Sequence, residues 1–123
     1  MLELAVKRIY EPAAPADGRR ILVDRLWPRG VTKARAQLDD WMKAVGPSNA
    51  LRRWFGRIPE RWPEFRRRYF DELRSNPEAR ALLALAAAGP VILLYAARDT
   101  QHNEAVALAE HLRAEDQHGR GRR

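Results

Sequence analysis

Cysteine is absent from the 123 residues, and only three histidines are present. Without cysteine there are no disulfides and no thiolate metal sites. The histidines do not repair that lack, because His111 and His118 share no ligand spacing with His102. Serine occurs only at Ser48 and Ser75, both of which read as helix caps or loop residues, so covalent serine chemistry has almost no support. A phosphate-cradling glycine loop is missing too, since "GRIPERW" has neither the lysine nor the spacing. No apolar stretch approaches membrane-spanning length. The opening "MLELAVKRIY" lacks the basic region and apolar run of a secretory signal. These absences lead to the expectation of a cytoplasmic protein with no membrane association, no metal and no cofactor.

Lysine is scarce as well, with three against 20 arginines among the 23 basic residues. That imbalance reads as compositional habit rather than selection for guanidinium groups. The net charge of +7 invites phosphate binding, but Arg120, Arg122 and Arg123 belong to a glycine-spaced tail. Leaving them out, 20 basic residues face 16 acidic ones. The length suits one domain with its own core. We take residues 1–115 as a single domain and 116–123 as a basic, disordered tail.

Hydrophobic patterning predicts the elements. "LELAVKRIY" and "RILVD" read as strands, separated by a proline-rich "EPAAPADG" loop. Thr32 caps a helical turn through the region of Leu38, Trp41 and Val45, and Ser48 caps "NALRRWF". Trp62, Phe65, Tyr69 and Leu73 form one stripe of the clearest helix, with Pro59 or Pro63 in its first turn. Asn76 caps the next helix, with Pro77 at its first position and Gly89-Pro90 ending it. "VILLYAA" is unbroken apolar, as in a strand covered on both faces. Ala105, Leu108, Ala109 and Leu112 mark the inner side of the last helix. The fold class is therefore α/β: one compact domain with a small, mostly parallel sheet of three or slightly more strands, flanked by helices. The short link from Glu11 to Arg20 leaves an antiparallel first pair open.

Ligands of open α/β sheets bind beyond the carboxyl ends of the strands. Lys7, Arg8 and Tyr10 end the first strand. Asp24, Arg25, Trp27 and Arg29 end or follow the second. After Tyr95 come Arg98, Asp99, His102 and Asn103. Together these make a candidate site for an anionic, phosphate-bearing small molecule, with helix amides near Thr100 adding to it. If it turns over a substrate, His102, Asp99 and Asp24 are the proton-transfer candidates. The plainer readings are an ion pair of Asp24 with Arg25 or Arg29, helix capping by Asp99 or Thr100, a His102 bonded to a backbone carbonyl, and Trp27 and Trp41 as core or lid.

A second basic region runs from Arg52 to Arg68, with Trp54, Phe55, Trp62 and Phe65 interleaved as in some single-strand binding surfaces. Helical spacing pairs Glu64 with Arg68, Arg67 with Asp71, and Arg68 with Glu72, which weakens that reading. Nucleic-acid or protein binding through this face is the competing expectation, with nucleic acid bound weakly.

"VKRIY", "LVDRLWPRG", "LRRWFG", "RW..F...Y..EL" and "GPVILLYAARDTQHNEAVAL" together resemble the YeaO-like branch of the domain of unknown function 488 family. The likeness runs from about Leu4 to Leu112. It implies a compact α/β domain and assigns no activity. Lys7, Arg8, Tyr10, Asp24, Arg25, Trp27, Arg29, Asp99, His102 and Asn103 match the branch pattern. Longer relatives in the broad family carry a Cys and a Cys-His-Arg group near the third strand and following helix. Tyr95, Asn103, Glu104 and Ala105 stand at those positions here, so the resemblance implies no thiol chemistry for this chain.

Overall fold

A computed structural model describes residues 2–121, with side chains described as far as Gly119. Four strands, β1 (Leu4–Arg8), β2 (Arg19–Leu22), β3 (Asp40–Trp41) and β4 (Val91–Tyr95), form one sheet in the order β1-β4-β2-β3. Every pairing is parallel. The first two strands are therefore not an antiparallel pair. β4 lies between them, and the link from Glu11 to Arg20 crosses over it.

The five residues of β4 are all buried. Alternation along the strand supplies two cores from one apolar run. Val91, Leu93 and Tyr95 enter the larger core with Leu4, Ile21 and the helices α2 (Asn49–Phe55), α3 (Trp62–Arg74), α4 (Pro77–Ala88) and α5 (Glu104–Gly121). Ile92 and Leu94 face the opposite way. There, Val31, Ala36 of the short α1 (Lys33–Ala36), Leu38, Trp27 and Trp41 cover them.

Several local signals act as their chemistry dictates. The Thr32, Ser48 and Asn76 side chains each accept from a first-turn amide of α1, α2 and α4. Pro77 opens α4, and Pro63 lies in the first turn of α3 while Pro59 starts a separate 3-10 turn. Phe65, Tyr69 and Leu73 are buried along α3, as are Ala105, Leu108, Ala109 and Leu112 along α5. The turn beyond Thr32 differs from the helical expectation. α1 stops at Ala36 because Gln37 takes a left-handed conformation, and β3 follows as a fourth, edge strand. α5 continues through residues 116–121 of the expected tail, while Arg122 and Arg123 lie outside the described residues.

A buried ion triad fixes the β1–β2 crossover. Lys7 Nζ reaches Asp17 Oδ1 at 2.9 Å, and Arg20 Nη1 reaches Asp17 Oδ2 at 2.5 Å. Burial alone would raise the Asp17 carboxyl, but hydrogen bonds from Lys7, the Ala14 amide and Arg20 outweigh it and hold it below the usual range. The same Arg20 guanidinium donates to the Ala36 and Gln37 carbonyls, tying down the end of α1.

The turn into β2 approaches the start of β4 closely. Gly18 has φ +69°, and a Cβ there would stand 2.6 Å from the Pro90 carbonyl oxygen. Only glycine fits both constraints.

Candidate anion-binding cleft

The parallel sheet brings the ends of β1, β2 and β4 to one edge. Beyond them opens a cleft of about 970 Å³. Its walls include Arg8 from β1, Asp24, Arg25, Trp27 and Arg29 from the segment after β2, and Arg98, His102 and Asn103 after β4. Tyr10 also lines it. Nine of the eleven expected site residues thus share one cavity, while Lys7 and Asp99 are not in its lining. The Lys7 ammonium instead bonds the Pro12 carbonyl and Asp17. Asp99 acts through its neighbours. Its Oδ1 accepts from the Gln101 and His102 amides, and its Oδ2 lies 2.9 Å from His102 Nδ1. Those three contacts lower the Asp99 carboxyl below its ordinary range, the Gln101 amide contributing most.

α5 starts at Glu104, and its cap is Asn103 rather than Asp99 or Thr100. Asn103 Oδ1 accepts from the Val106 amide, and its Nδ2 donates to the Asp99 carbonyl. His102 bonds a carboxylate rather than a backbone carbonyl, and its ring meets Trp62 edge-on at 5.3 Å.

Asp24 makes no ion pair with Arg25 or Arg29 among the described residues. Its Oδ2 accepts from the Ala96 amide at 2.9 Å, while its buried Oδ1 has no hydrogen-bond partner among the described residues. Arg25 donates to the Pro47 and Gly46 carbonyls, and Arg8 to those of Ala96 and Ala97. This arrangement matters electrostatically. Carbonyl acceptors hold a guanidinium in place without neutralising its charge. No hydrogen bond or ion pair holds the Arg29, Arg53 or Arg98 guanidinium among the described residues. Trp27 is occupied by packing, with its indole N–H on the Val31 carbonyl and its ring edge-on to Trp41.

Four charged contributors are not among the expected strand-end residues. Arg52, Arg53 and Arg57 reach the cleft from the end of α2 and the turn beyond it, and Glu104 enters from the first turn of α5. The arginines were visible in sequence, but as part of the rival face. Glu104 stood out only as a departure from the broader family. Burial first, and then the Asp24 carboxylate, push its carboxyl well above the ordinary glutamate range. Arg57 has φ +61°, an uncommon conformation for a residue with a Cβ, placed at the cleft wall.

The outer half of the arginine face is chemically different. Arg66 pairs with Glu110, Arg67 with Glu64 and Asp71, and Arg68 with Glu64. The expected Arg68–Glu72 pair does not form. Glu72 instead accepts from the amide and hydroxyl of Ser48, joining α3 to the start of α2. Arg61 and Arg68 lie over the Trp54 ring.

Among the described residues, no group of three potential metal ligands converges, and no helix is long and apolar enough to cross a membrane.

Comparison with known proteins follows the same lines. A family model described as the inactive DUF488-N3 subclade matches residues 3–122. The uncharacterized protein YeaO of Escherichia coli K12 is 42% identical over 114 residues, covering 92% of this chain and 99% of YeaO. The uncharacterized protein Rv3073c of Mycobacterium tuberculosis H37Rv is 39% identical over 105 residues, covering 85% of this chain and 89% of Rv3073c. No solved structure matches the chain.

Proposed function

The chain belongs to the DUF488 family, in the subclade described as inactive, and from that premise we propose that it is a cytoplasmic binding protein for an anionic, phosphate-bearing small molecule. The observation that supports this most is the gathering of seven arginines, Arg8, Arg25, Arg29, Arg52, Arg53, Arg57 and Arg98, around one cavity. Among the described residues, only two carboxyl groups, Asp24 and Glu104, line the same space. Guanidinium groups suit phosphate because their forked donors match its oxygens, and partial exclusion from water strengthens each contact.

The cleft also has an apolar component. Phe55, Phe65, Pro28 and Leu26 line it, and Leu26 is 63% exposed beside the cations. That mixture suits an organic phosphate better than the inorganic ion. His102 and Asp99 have the geometry of an imidazole oriented by a carboxylate, so proton transfer is chemically available. The subclade's description as inactive weighs toward binding without turnover.

Binding of nucleic acid through the arginine face is the second reading. Arg52, Arg53 and Arg57 support it, since they point phosphate-binding groups into the same cleft. Arg66, Arg67 and Arg68 weaken it, because carboxylates already hold them.

The test is a panel of sugar phosphates, nucleotides, pyrophosphate and phosphate, screened by calorimetry against the wild-type chain and Arg29→Ala/Arg98→Ala. Those two guanidinium groups hold nothing in the fold, so melting should barely change. A tenfold or greater loss of affinity for a phosphate-bearing hit is expected. No binding by any member, or binding indifferent to both substitutions, rejects the reading.

A further inference from the structure

Asp24 and Glu104 are an unusual pair to find among so many cations. Both line the cleft, one from the segment after β2 and the other from the first turn of α5, and Asp24 acts on the Glu104 carboxyl through a side-chain hydrogen bond as well as through its charge. Asp24 Oδ2 is already used by the Ala96 amide, while Asp24 Oδ1 is enclosed with no donor. A buried acceptor without a donor loses its hydration with nothing in return, and loses more if charged, so such an atom requires an explanation. Arginine does not supply the missing donor, although Arg25 and Arg57 are nearby. Arg25 is committed to the Pro47 and Gly46 carbonyls.

We infer that Asp24 and Glu104 hold one proton between them, with the Glu104 carboxyl donating to Asp24 Oδ1. The proton satisfies the orphaned oxygen and removes a like-charge contact in one step. It also joins the segment after β2 to the first turn of α5, across the end of β4. The direction of the Glu104 shift agrees, since burial and Asp24 both favour its neutral form. Groups around the pair do not reverse this. Arg57 favours ionised Glu104 but ranks below burial and Asp24 among the influences on it. From α3 and β4, Tyr69 and Tyr95 face Glu104 as neutral phenols, both raised above their ordinary range. Arg25 and Glu72 act on Tyr69, while Arg8 and Glu11 act on Tyr95, and those pairs oppose each other in sign.

The consequence for ligand binding rests on the anion reading. A cleft lined by two ionised carboxylates repels an incoming phosphate, whereas the protonated pair presents a single negative charge among the arginines. Glu104 is therefore a positioning residue for the anion, and anion and proton favour each other's binding.

The experiment has two arms that fail separately. In the free protein, the Glu104 side-chain carboxyl is followed by carbon-13 NMR from pH 4 to 9, in wild type and Asp24→Asn. A midpoint above the ordinary glutamate range, moving down in Asp24→Asn, is expected. A midpoint in the ordinary range, or one indifferent to Asp24, overturns the shared proton whatever the protein binds. In the second arm, pyrophosphate is titrated on either side of that midpoint into wild type and Glu104→Gln, whose amide donates permanently to Asp24. Relative to Glu104→Gln, wild-type affinity should weaken by up to about tenfold per pH unit above the midpoint. Equal pH profiles in the two proteins overturn the coupling. A raised midpoint with no pyrophosphate binding upholds the shared proton and counts against the anion reading instead.

Discussion

Asp24 Oδ2 and the amide nitrogen of Ala96 lie 2.9 Å apart, joining positions 72 residues distant in the chain. The bond satisfies the first amide beyond β4, where the ladder ends and no further strand residue can accept. Asp24 is thus structural before it is anything else. Asp24→Ala leaves that partly buried N–H unpaired and should cost about 1–3 kcal/mol in urea unfolding. Asp24→Asn keeps an acceptor for Ala96 and should fall within about 1 kcal/mol of wild type. An alanine variant as stable as wild type would show that the bond contributes nothing.

Glu104 gives stability an unusual pH dependence. A carboxyl raised in the folded state binds its proton more tightly there than in the unfolded chain. Stability from this group is therefore complete at low pH. It falls as pH rises from the ordinary glutamate value, about 4.3, up to the folded midpoint, by at most about 1.4 kcal/mol per unit. Glu104→Gln should abolish that decline, melting above wild type at pH 8 while differing little at pH 4. Parallel melting curves for the two proteins across this range would contradict a raised Glu104 carboxyl beside Asp24.

Arg57 combines a strained backbone with a cleft-facing charge. A left-handed conformation costs a residue with a Cβ roughly 1–2 kcal/mol, and glycine's extra unfolded-state entropy returns about 0.5–1 of that. Arg57→Gly should accordingly gain up to about 1 kcal/mol, or roughly 2–4 °C in melting temperature. Arg57→Ala keeps the strain and should gain nothing. Both should bind pyrophosphate more weakly, because both lose the charge. Strain retained for a binding role predicts this opposition of stability and affinity. If Arg57→Gly binds as well as wild type, the conformation serves something other than the cleft.

The fold was legible where local chemistry decides structure. Asn76-Pro77-Glu78 specifies a helix start by itself, and Val91–Tyr95 has no polar residue to place on a solvent face. β3 was hidden because Asp40–Trp41 is a two-residue edge strand whose pairing is set by β2, not by any apolar run. Strand order was equally out of reach, since β4 enters between β1 and β2 only in three dimensions. At the candidate site, chain position alone led to most of the strand-end residues that line the cleft. Lys7 was misplaced because alternation sends its side chain toward Asp17, away from the cleft that Arg8 enters. Arg52, Arg53 and Arg57 required the packing of α2 across the strand ends. Asn103 took the cap expected of Asp99, whose oxygens the Gln101 and His102 amides and the His102 ring had already engaged.

The arginines themselves allow a comparison of the two binding readings. Arg66, Arg67 and Arg68 face carboxylates, so a nucleic-acid phosphate must compete with Glu110, Glu64 and Asp71 for each of them. Arg53 and Arg98 meet no such competition. Each arginine that contacts duplex phosphate adds about 0.9 to the slope of log affinity against log salt. Weak, sequence-independent DNA binding is therefore expected. Its slope should fall by about 2 in Arg53→Ala/Arg98→Ala, and hardly at all when Arg66, Arg67 and Arg68 are replaced by alanine together. A chain ending at Glu115 controls for Arg120, Arg122 and Arg123. Tight binding at physiological salt that survives this truncation and the cleft substitutions, yet is lost in the α3 triple variant, would make the outer helix face the functional surface and leave the cleft without its assigned role.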